Sequence, residues 1–162
     1  MQGTLIVVDD LLRPPHATDR TAWHPDDAVG WTVVRLAHLL GRQFDHALKQ
    51  LALTSRQFGV LATIAAEPGI NSGQLARKVL VTAQSMGELI TGLEKAGYLT
   101  RDHDRGRGRR LDIQLTPAGH DVLTRAFGVV AGLNAPHALG LSHEETAQLN
   151  TLLHKALTHL QP

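Results

Sequence analysis

Apolar side chains recur at steps of three and four over most of the chain, the spacing that places them on one face of an α-helix. The first run begins at Asp26 or Asp27, either of which can cap a helix, and continues to Leu51. A second run follows Thr54 and ends at Pro68-Gly69, where proline and glycine together break the pattern. The two runs predict two amphipathic helices, the first of them long.

Two shorter helices and a β-hairpin are predicted in the middle of the chain. Asn71 or Ser72 can cap the first short helix, and Thr82 can cap the second. A strand-like segment follows, and at positions 111–115 apolar and polar residues alternate with the period of a half-buried strand. The run from Arg101 to Arg110 between the two strands carries five arginines, which gives the predicted hairpin a cationic tip.

Two further helices complete the chain. Thr116-Pro117 opens the first, because proline fits the first helical position, where its missing N–H costs nothing. Ser142, followed three residues later by Glu145, has the pattern of a capping box and opens the second. The first helix and these last two carry more leucine and valine than one small domain can bury, which predicts a homodimer. The apolar face of the last helix consists of Leu149, Leu152, Leu153, Ala156, Leu157 and Leu160.

The order of these elements predicts a winged helix-turn-helix: a mainly α fold with a small β wing and with N- and C-terminal dimerisation helices. We expect an irregular N-terminal arm at 1–27, a dimerisation helix at 28–53, a winged helix-turn-helix DNA-binding region at 54–115 and C-terminal dimerisation helices at 116–162. The composition of the arm is typical of a loosely ordered tail. The alternative is that residues 5–8 add a short strand or pack across a partner subunit.

Composition narrows the class of function. The chain has 162 residues, enough for one domain to bury a core, and no cysteine, which excludes disulfides, thiol-based redox sensing and cysteine-ligated metals. The apolar run at residues 5–8 is too short for a signal peptide or a membrane span, so we expect a cytoplasmic protein without a membrane partner. Because the net charge is only +1, binding to nucleic acid must come from a local concentration of arginine and lysine.

The predicted helix-turn-helix carries side chains that suit double-stranded DNA. In such a unit the second short helix enters the major groove, where Gln84 can form two hydrogen bonds with adenine and the Ala83 methyl can touch thymine. Glycine-spaced arginines in the hairpin can enter a minor groove and contact phosphates. The alternative for the helix is that Thr82 only caps it and that its polar residues are solvated surface. The predicted DNA-binding residues are Ser72, Gln74, Thr82, Ala83, Gln84, Ser85, Arg105, Arg107, Arg109 and Arg110.

Four motifs carry a resemblance to a known family: Leu75-Ala76-Arg77-Lys78, Val81-Thr82-Ala83-Gln84-Ser85-Met86, Leu93-Glu94-Lys95-Ala96-Gly97-Tyr98-Leu99 and Leu115-Thr116-Pro117-Ala118-Gly119. With them, the chain from about residue 29 to 160 resembles the multiple-antibiotic-resistance-regulator (MarR) family. The resemblance implies a triangular homodimer that represses genes and releases DNA when a small, often phenolic or anionic, molecule binds. Two recognition helices related by a two-fold axis would read a pseudo-palindromic operator with half-sites about one helical turn apart.

The chain also departs from the family pattern. Relatives usually carry Asp-Arg-Arg in the wing, where this chain has Arg107-Gly108-Arg109. Glu88 stands where relatives often have arginine, and an acid there must turn away from phosphate or accept from cytosine. Gly87 and Gly92 weaken the recognition helix by roughly 1 kcal/mol each relative to alanine. Glu88 and the two helix glycines motivate a second hypothesis, a dimeric protein-interaction module that has kept the fold and lost DNA specificity.

The resemblance further implies an effector pocket between the first two helices and the helix after the wing. Trp31, Arg35 and His38 are nearest to that place, because an aromatic ring and a cation suit a planar anion; the alternative puts Trp31 in the core or the dimer interface. The ten histidines show no ligand spacing within one helix, so we expect no metal site and no cofactor. No nucleophile elbow, phosphate loop or paired-acid arrangement is present, and we expect no enzymatic activity.

Overall fold

A computed structural model describes residues 24–101 and 113–160. Within these ranges the chain forms seven α-helices and two paired antiparallel strands, a mainly α fold with a small β element. Six of the helices follow the predicted order, and the seventh, the short helix Pro136–Leu139, was not predicted. None of these helices is long and apolar enough to cross a membrane. The elements are α1 (Val29–Leu48), α2 (Ser55–Ala66), α3 (Ser72–Val79), α4 (Ala83–Lys95), β1 (Leu99–Arg101), β2 (Ile113–Leu115), α5 (Pro117–Leu133), α6 (Pro136–Leu139) and α7 (His143–Leu160).

Side-chain caps open four helices where the sequence predicts them. Thr54 and Asn71 each form a capping box: the side chain accepts a hydrogen bond from the backbone N–H three residues on, and the glutamine there accepts one in return. Thr82 and Thr116 cap α4 and α5 through one such bond each. These bonds fix where each helix begins, so the sequence locates the starts of α2 to α5 to within a residue.

The predicted capping box at the start of α7 is confirmed. Ser142 Oγ accepts from the Glu145 backbone N–H at 3.2 Å, and the Glu145 carboxylate accepts from the Ser142 backbone N–H at 2.8 Å. The backbone hydrogen bond from Ser142 lowers the pKa of Glu145 below its ordinary value of 4.5, because it stabilises the ionised carboxylate.

The start of α1 differs from the prediction. Asp26 and Asp27 do not cap this helix; both lie in a 3-10 turn, Pro25–Asp27, which is capped by His24 through a bond from the Asp26 backbone N–H to its Nδ1 at 3.3 Å. After one extended residue, α1 begins at Val29. Proline at the first position of the turn fixes its own φ and so starts a separate turn before the helix.

The described residues form two compact units, a larger one of 39–101 with 113–134 and a smaller one of 24–38 with 135–160. Every buried hydrophobic side chain of the described residues lies between positions 48 and 130, in the larger unit. Helix α5 belongs to this core through Val122, Leu123, Ala126 and Val130. Helix α4, the strands and α5 are therefore held by one core. Its most fully enclosed side chains are Leu48, Val60, Leu61, Leu75, Met86, Leu93 and Ile113.

Helix α5 begins in close contact with the turn that follows α4. The Thr116 backbone N–H donates to the Tyr98 carbonyl at 3.0 Å, and Thr116 Oγ1 donates to the Gly97 carbonyl at 2.6 Å. A Cβ atom at Gly119 would overlap the Tyr98 carbonyl oxygen and lie 3.0 Å from the carbonyl carbon. Only glycine lets the first turn of α5 approach the backbone this closely.

The smaller unit leaves apolar side chains uncovered. Its described residues, 24–38 and 135–160, include no buried side chain. On α1, Val29 and Val34 are 78% and 56% exposed; on α7, Leu152 and Leu160 are 64% and 68% exposed. Within the described residues of this unit, both helices therefore carry exposed apolar side chains.

Candidate nucleic-acid interface

Helix α4 has a buried face and an outer face. Met86, Ile90 and Leu93 are buried in the core, which fixes the rotation of the helix about its axis. Positions three, four and seven apart lie on the same side of a helix, so the exposed residues opposite form one continuous surface. We define the outer face of α4 by these residues: Ala83, Gln84, Gly87, Glu88 and Thr91.

The polar groups at the N-terminal end of α4 are of two kinds, those hydrogen-bonded within the cap and those without a partner among the described residues. Thr82 Oγ1 accepts from the Ser85 backbone N–H at 3.1 Å and donates to Ser85 Oγ at 3.0 Å, so both hydroxyls are oriented by the cap. The Gln84 side chain is exposed and forms no hydrogen bond with another described residue. The side-chain amide of Gln84 is therefore available to an external partner, while the Thr82 hydroxyl is used to cap the helix.

The start of α3 contributes two exposed side chains, Ser72 and Gln74. One end of the Gln74 side-chain amide is already hydrogen-bonded. Its Oε1 accepts from the Asn71 backbone N–H at 3.2 Å, and Asn71 Oδ1 accepts from the Gln74 backbone N–H at 2.8 Å. The carbonyl end of the Gln74 amide is thus used in the capping box. Its NH₂ group points to no described acceptor and suits an anionic partner such as phosphate.

The turn between α3 and α4 contains a leucine in the left-handed conformation. Leu80 has φ +57°, and its side chain is 69% exposed. Its backbone N–H donates to the Arg77 carbonyl at 3.3 Å and so closes α3. Sequence reasoning missed this strained turn, because the left-handed region is ordinarily occupied by glycine and leucine gives no signal for it.

Arg101, the last residue of β1, connects that strand to α4. Its Nη2 lies 3.0 Å from Glu94 Oε2 and donates to Thr91 Oγ1 at 3.2 Å. The two charged side chains are only 20% and 24% exposed. The sequence analysis grouped Arg101 with the arginines of the hairpin tip; the structure shows its side chain bound to the helix.

The four arginines predicted to contact DNA from the hairpin tip, Arg105, Arg107, Arg109 and Arg110, lie outside the described residues. The strands that flank the tip are paired, with Leu99 opposite Leu115 and Arg101 opposite Ile113. The role of the four arginines stays a prediction, while the pairing of the two strands and the contact of β1 with α4 are observed.

The three residues predicted for an effector site lie on α1. Trp31 is 49% exposed, and His38 is exposed as well. Arg35 Nη1 forms an ion pair with Asp26 Oδ1 at 2.6 Å, so its guanidinium already has an anionic partner. The helical spacing places Arg35 on the same side of α1 as Arg42, seven residues on, and His46, four residues further.

A groove in the larger unit lies further along α1. Its volume is about 510 Å³. It combines cationic and amide groups with apolar walls, and it includes none of the three predicted residues. It is lined by Leu39, Arg42, Gln43, His46, Ala47 and Leu133.

Comparison with known proteins gives consistent results. The sequence pattern of the MarR family matches residues 53–110. The HTH-type transcriptional repressor Rv2887 of Mycobacterium tuberculosis is 32% identical over 131 residues, which cover 80% of this chain and 94% of the relative. Its crystal structure with salicylic acid has a TM-score of 0.66 at 30% identity, over 80% of this chain and 96% of that one. Its crystal structure with DNA has a TM-score of 0.64 at 27% identity, over 80% and 97%.

Proposed function

This chain belongs to the MarR family of winged helix-turn-helix transcriptional regulators, and we propose that it binds a pseudo-palindromic DNA operator as a homodimer and represses transcription from it. The observation that carries this proposal is the outer face of α4. Its N-terminal end presents Ala83 and Gln84 to solvent, on a helix whose rotation is fixed by three buried side chains. A helix exposed in this way fits the major groove.

Direct base reading is assigned to the first turn of α4. The free amide of Gln84 can accept from N6 and donate to N7 of adenine, and the Ala83 methyl suits the thymine methyl. Ser85 adds a hydroxyl that the Thr82 bond orients. Each good bidentate contact contributes about 1–3 kcal/mol of discrimination between bases.

Backbone contacts are assigned to α3 and to the hairpin tip. Ser72 and the NH₂ group of Gln74 lie at the N-terminus of α3, where unpaired backbone N–H groups and the helix dipole attract phosphate. The arginines of the tip, from Arg105 to Arg110, would grip the flanking phosphates or a narrow minor groove. Phosphate contacts position the protein without reading sequence.

The homodimer is supported by the uncovered apolar surface of α1 and α7. Val29 and Trp31 on α1 are 78% and 49% exposed, and Leu152 and Leu160 on α7 are 64% and 68% exposed. Apolar surface of this kind on both end helices is typical of an obligate dimer interface. A two-fold axis between two chains would present two α4 helices to one face of DNA.

An effector is proposed for the groove beside Arg42 and His46. The guanidinium suits a carboxylate, and Leu39 and Leu133 suit an aromatic ring. Arg35 of the predicted site already pairs with Asp26, whereas Arg42 in this groove forms no ion pair with a described residue. A relative solved both with DNA and with salicylic acid supports an effector of that chemical class. Binding there would weaken DNA affinity.

The experiment that tests the proposal is selection of bound sequences from a random duplex pool. We expect an inverted repeat with half-sites about 10 base pairs apart, and an affinity that falls steeply with salt. Gln84→Ala should weaken binding roughly 5- to 150-fold and remove an adenine preference in each half-site. Gln50→Ala, an exposed glutamine away from α4, is the matched control and should bind like the wild type.

The second hypothesis, an interaction module without DNA specificity, draws on Glu88. This carboxylate is exposed on the outer face of α4 and forms no ion pair with a described residue, so it opposes the approach of phosphate. That hypothesis expects no enriched sequence and a flat salt dependence. Either result would end the operator proposal.

A further inference from the structure

The Arg101 side chain makes contacts that the assigned DNA-binding roles do not use. It reaches from the end of β1 to the outer side of α4, where Nη2 meets Glu94 Oε2 at 3.0 Å and Thr91 Oγ1 at 3.2 Å. The pair is 20% and 24% exposed, so water screens it less than an ordinary surface ion pair. Surface pairs of this type elsewhere in the chain are more open; Arg125 and Asp121, at 3.7 Å, are 60% and 71% exposed.

The position of the Arg101 side chain depends on its ion pair with Glu94. The Arg101 Nε atom is enclosed and has no hydrogen-bond partner in the described part of the chain. A guanidinium in such a place is held by the acceptors at its other end. Without Glu94, a largely enclosed cation would lose its charge partner, and we expect the side chain and the strand that carries it to move.

The contact falls on the surface proposed to face DNA. Thr91 lies seven residues after Gln84, hence on the same side of α4 and about 10 Å further along the helix axis. Arg101 is also the residue of β1 that pairs with Ile113 at the base of the wing. One side chain therefore touches both elements that would have to meet a single duplex.

We propose that Arg101 is a positioning residue, which braces the wing strand β1 against α4 through Glu94 and Thr91 and so sets the wing at a fixed angle to the recognition helix. The inference rests on the proposed DNA-binding function and names how two parts of that surface are aligned. Arg101 acts through Glu94 and does not itself grip phosphate. An acid on a DNA-facing helix thereby contributes to DNA binding, although its charge opposes it.

The charge of Glu94 and its contact with Arg101 predict opposite effects on DNA affinity, and this difference gives the decisive test. The test uses the full chain and the duplex recovered by selection. Removing an acid near DNA would tighten binding by charge alone, whereas the brace predicts that Glu94→Gln weakens it by about tenfold. Asp121→Asn is the matched control, an acid-to-amide change that removes an exposed ion pair of the same unit, and it should change affinity less than twofold. Glu94→Gln that binds as tightly as the wild type, or more tightly, overturns the proposal.

A double-variant series separates alignment of the wing from damage to α4. Arg101→Met should weaken DNA binding about tenfold in the wild-type background, but less than twofold in a chain in which Arg107 and Arg109 are already alanine. In that second chain the wing makes little contact with DNA, so its alignment matters little. An equal cost in both backgrounds would show a merely structural role and refute the brace. If Arg101→Met does not fold, Arg101→Lys keeps the charge without the forked geometry and should show the same dependence on background.

The outcomes distinguish the two levels of inference. A wild-type chain that enriches no duplex sequence overturns the proposed function and the brace with it. A wild-type chain that binds its duplex, combined with Glu94 and Arg101 variants that bind equally well, overturns the brace alone. Melting temperatures measured on the same samples establish that each variant is folded at the temperature of the assay.

Discussion

Replacing Gly119 with alanine tests how tightly α5 packs on the turn that follows α4. The added methyl would overlap the Tyr98 carbonyl oxygen, and the obstacle is backbone, which cannot rotate away as a side chain can. To restore a contact of about 3.5 Å, α5 must move off Tyr98. Overpacking of this kind costs about 1–3 kcal/mol, and breaking the bond between Thr116 and Tyr98 costs about 1 kcal/mol more. The higher helix propensity of alanine offsets about 1 kcal/mol of this cost, so the net effect of the overlap is destabilising. We expect a net loss of roughly 1–3 kcal/mol in the free energy of unfolding.

Thermal and urea unfolding at one fixed protein concentration measure this loss. The expected decrease in melting temperature is roughly 2–12 °C. Gly128→Ala is the matched control, since a Cβ at Gly128 of the same helix meets no atom within 4 Å. That variant should be as stable as the wild type or up to about 1 kcal/mol more stable. If Gly119→Ala behaves like Gly128→Ala, the close contact between α5 and Tyr98 is wrong.

Three further predictions follow from single features of the chain. Leu80→Gly should raise the free energy of unfolding by about 1 kcal/mol in urea titrations, because glycine relieves the left-handed strain, while Leu80→Ala keeps the strain and should bring no gain. The lowered pKa of Glu145 means that its bond with Ser142 stabilises the fold at pH values above the ordinary carboxyl pKa, and that this contribution is lost as the pH falls through the lowered value. Melting temperatures across acidic pH should show this loss in the wild type and not in Glu145→Gln. Leu152→Lys combined with Leu157→Lys should convert a dimer to monomers in sedimentation equilibrium; an unchanged mass would exclude α7 from the interface.

The sequence predicts well those features that depend on residues close together in the chain. Thr54, Asn71, Thr82, Thr116 and Ser142 each cap a helix through a bond to the backbone three residues on, so residue type and spacing are enough to find them. The buried stripe of α4 follows from helical periodicity for the same reason. The sequence alone therefore predicts which residues lie on the exposed surface at the start of α4.

Two local predictions went wrong or were missed because a neighbouring residue changed the backbone. Pro25 starts a separate turn that takes up Asp26 and Asp27, which sequence rules favour as caps of α1. At Leu80, packing of α3 against α4 imposes a left-handed conformation that leucine does not prefer. In both cases, the preference of one residue was overruled by the conformation of its surroundings.

What the sequence alone determined is the order of the six longer helices, the caps of five of them and their apolar faces, since each depends on residues close together in the chain. The tertiary structure decided which distant groups meet: Gly119 against the Tyr98 carbonyl, and Arg101 against Glu94 and Thr91. These contacts depend on how α4, β1 and α5 pack around one core, because a side chain's partner is set by the positions of whole elements. Periodicity places a residue on a face, and only packing places another residue against it.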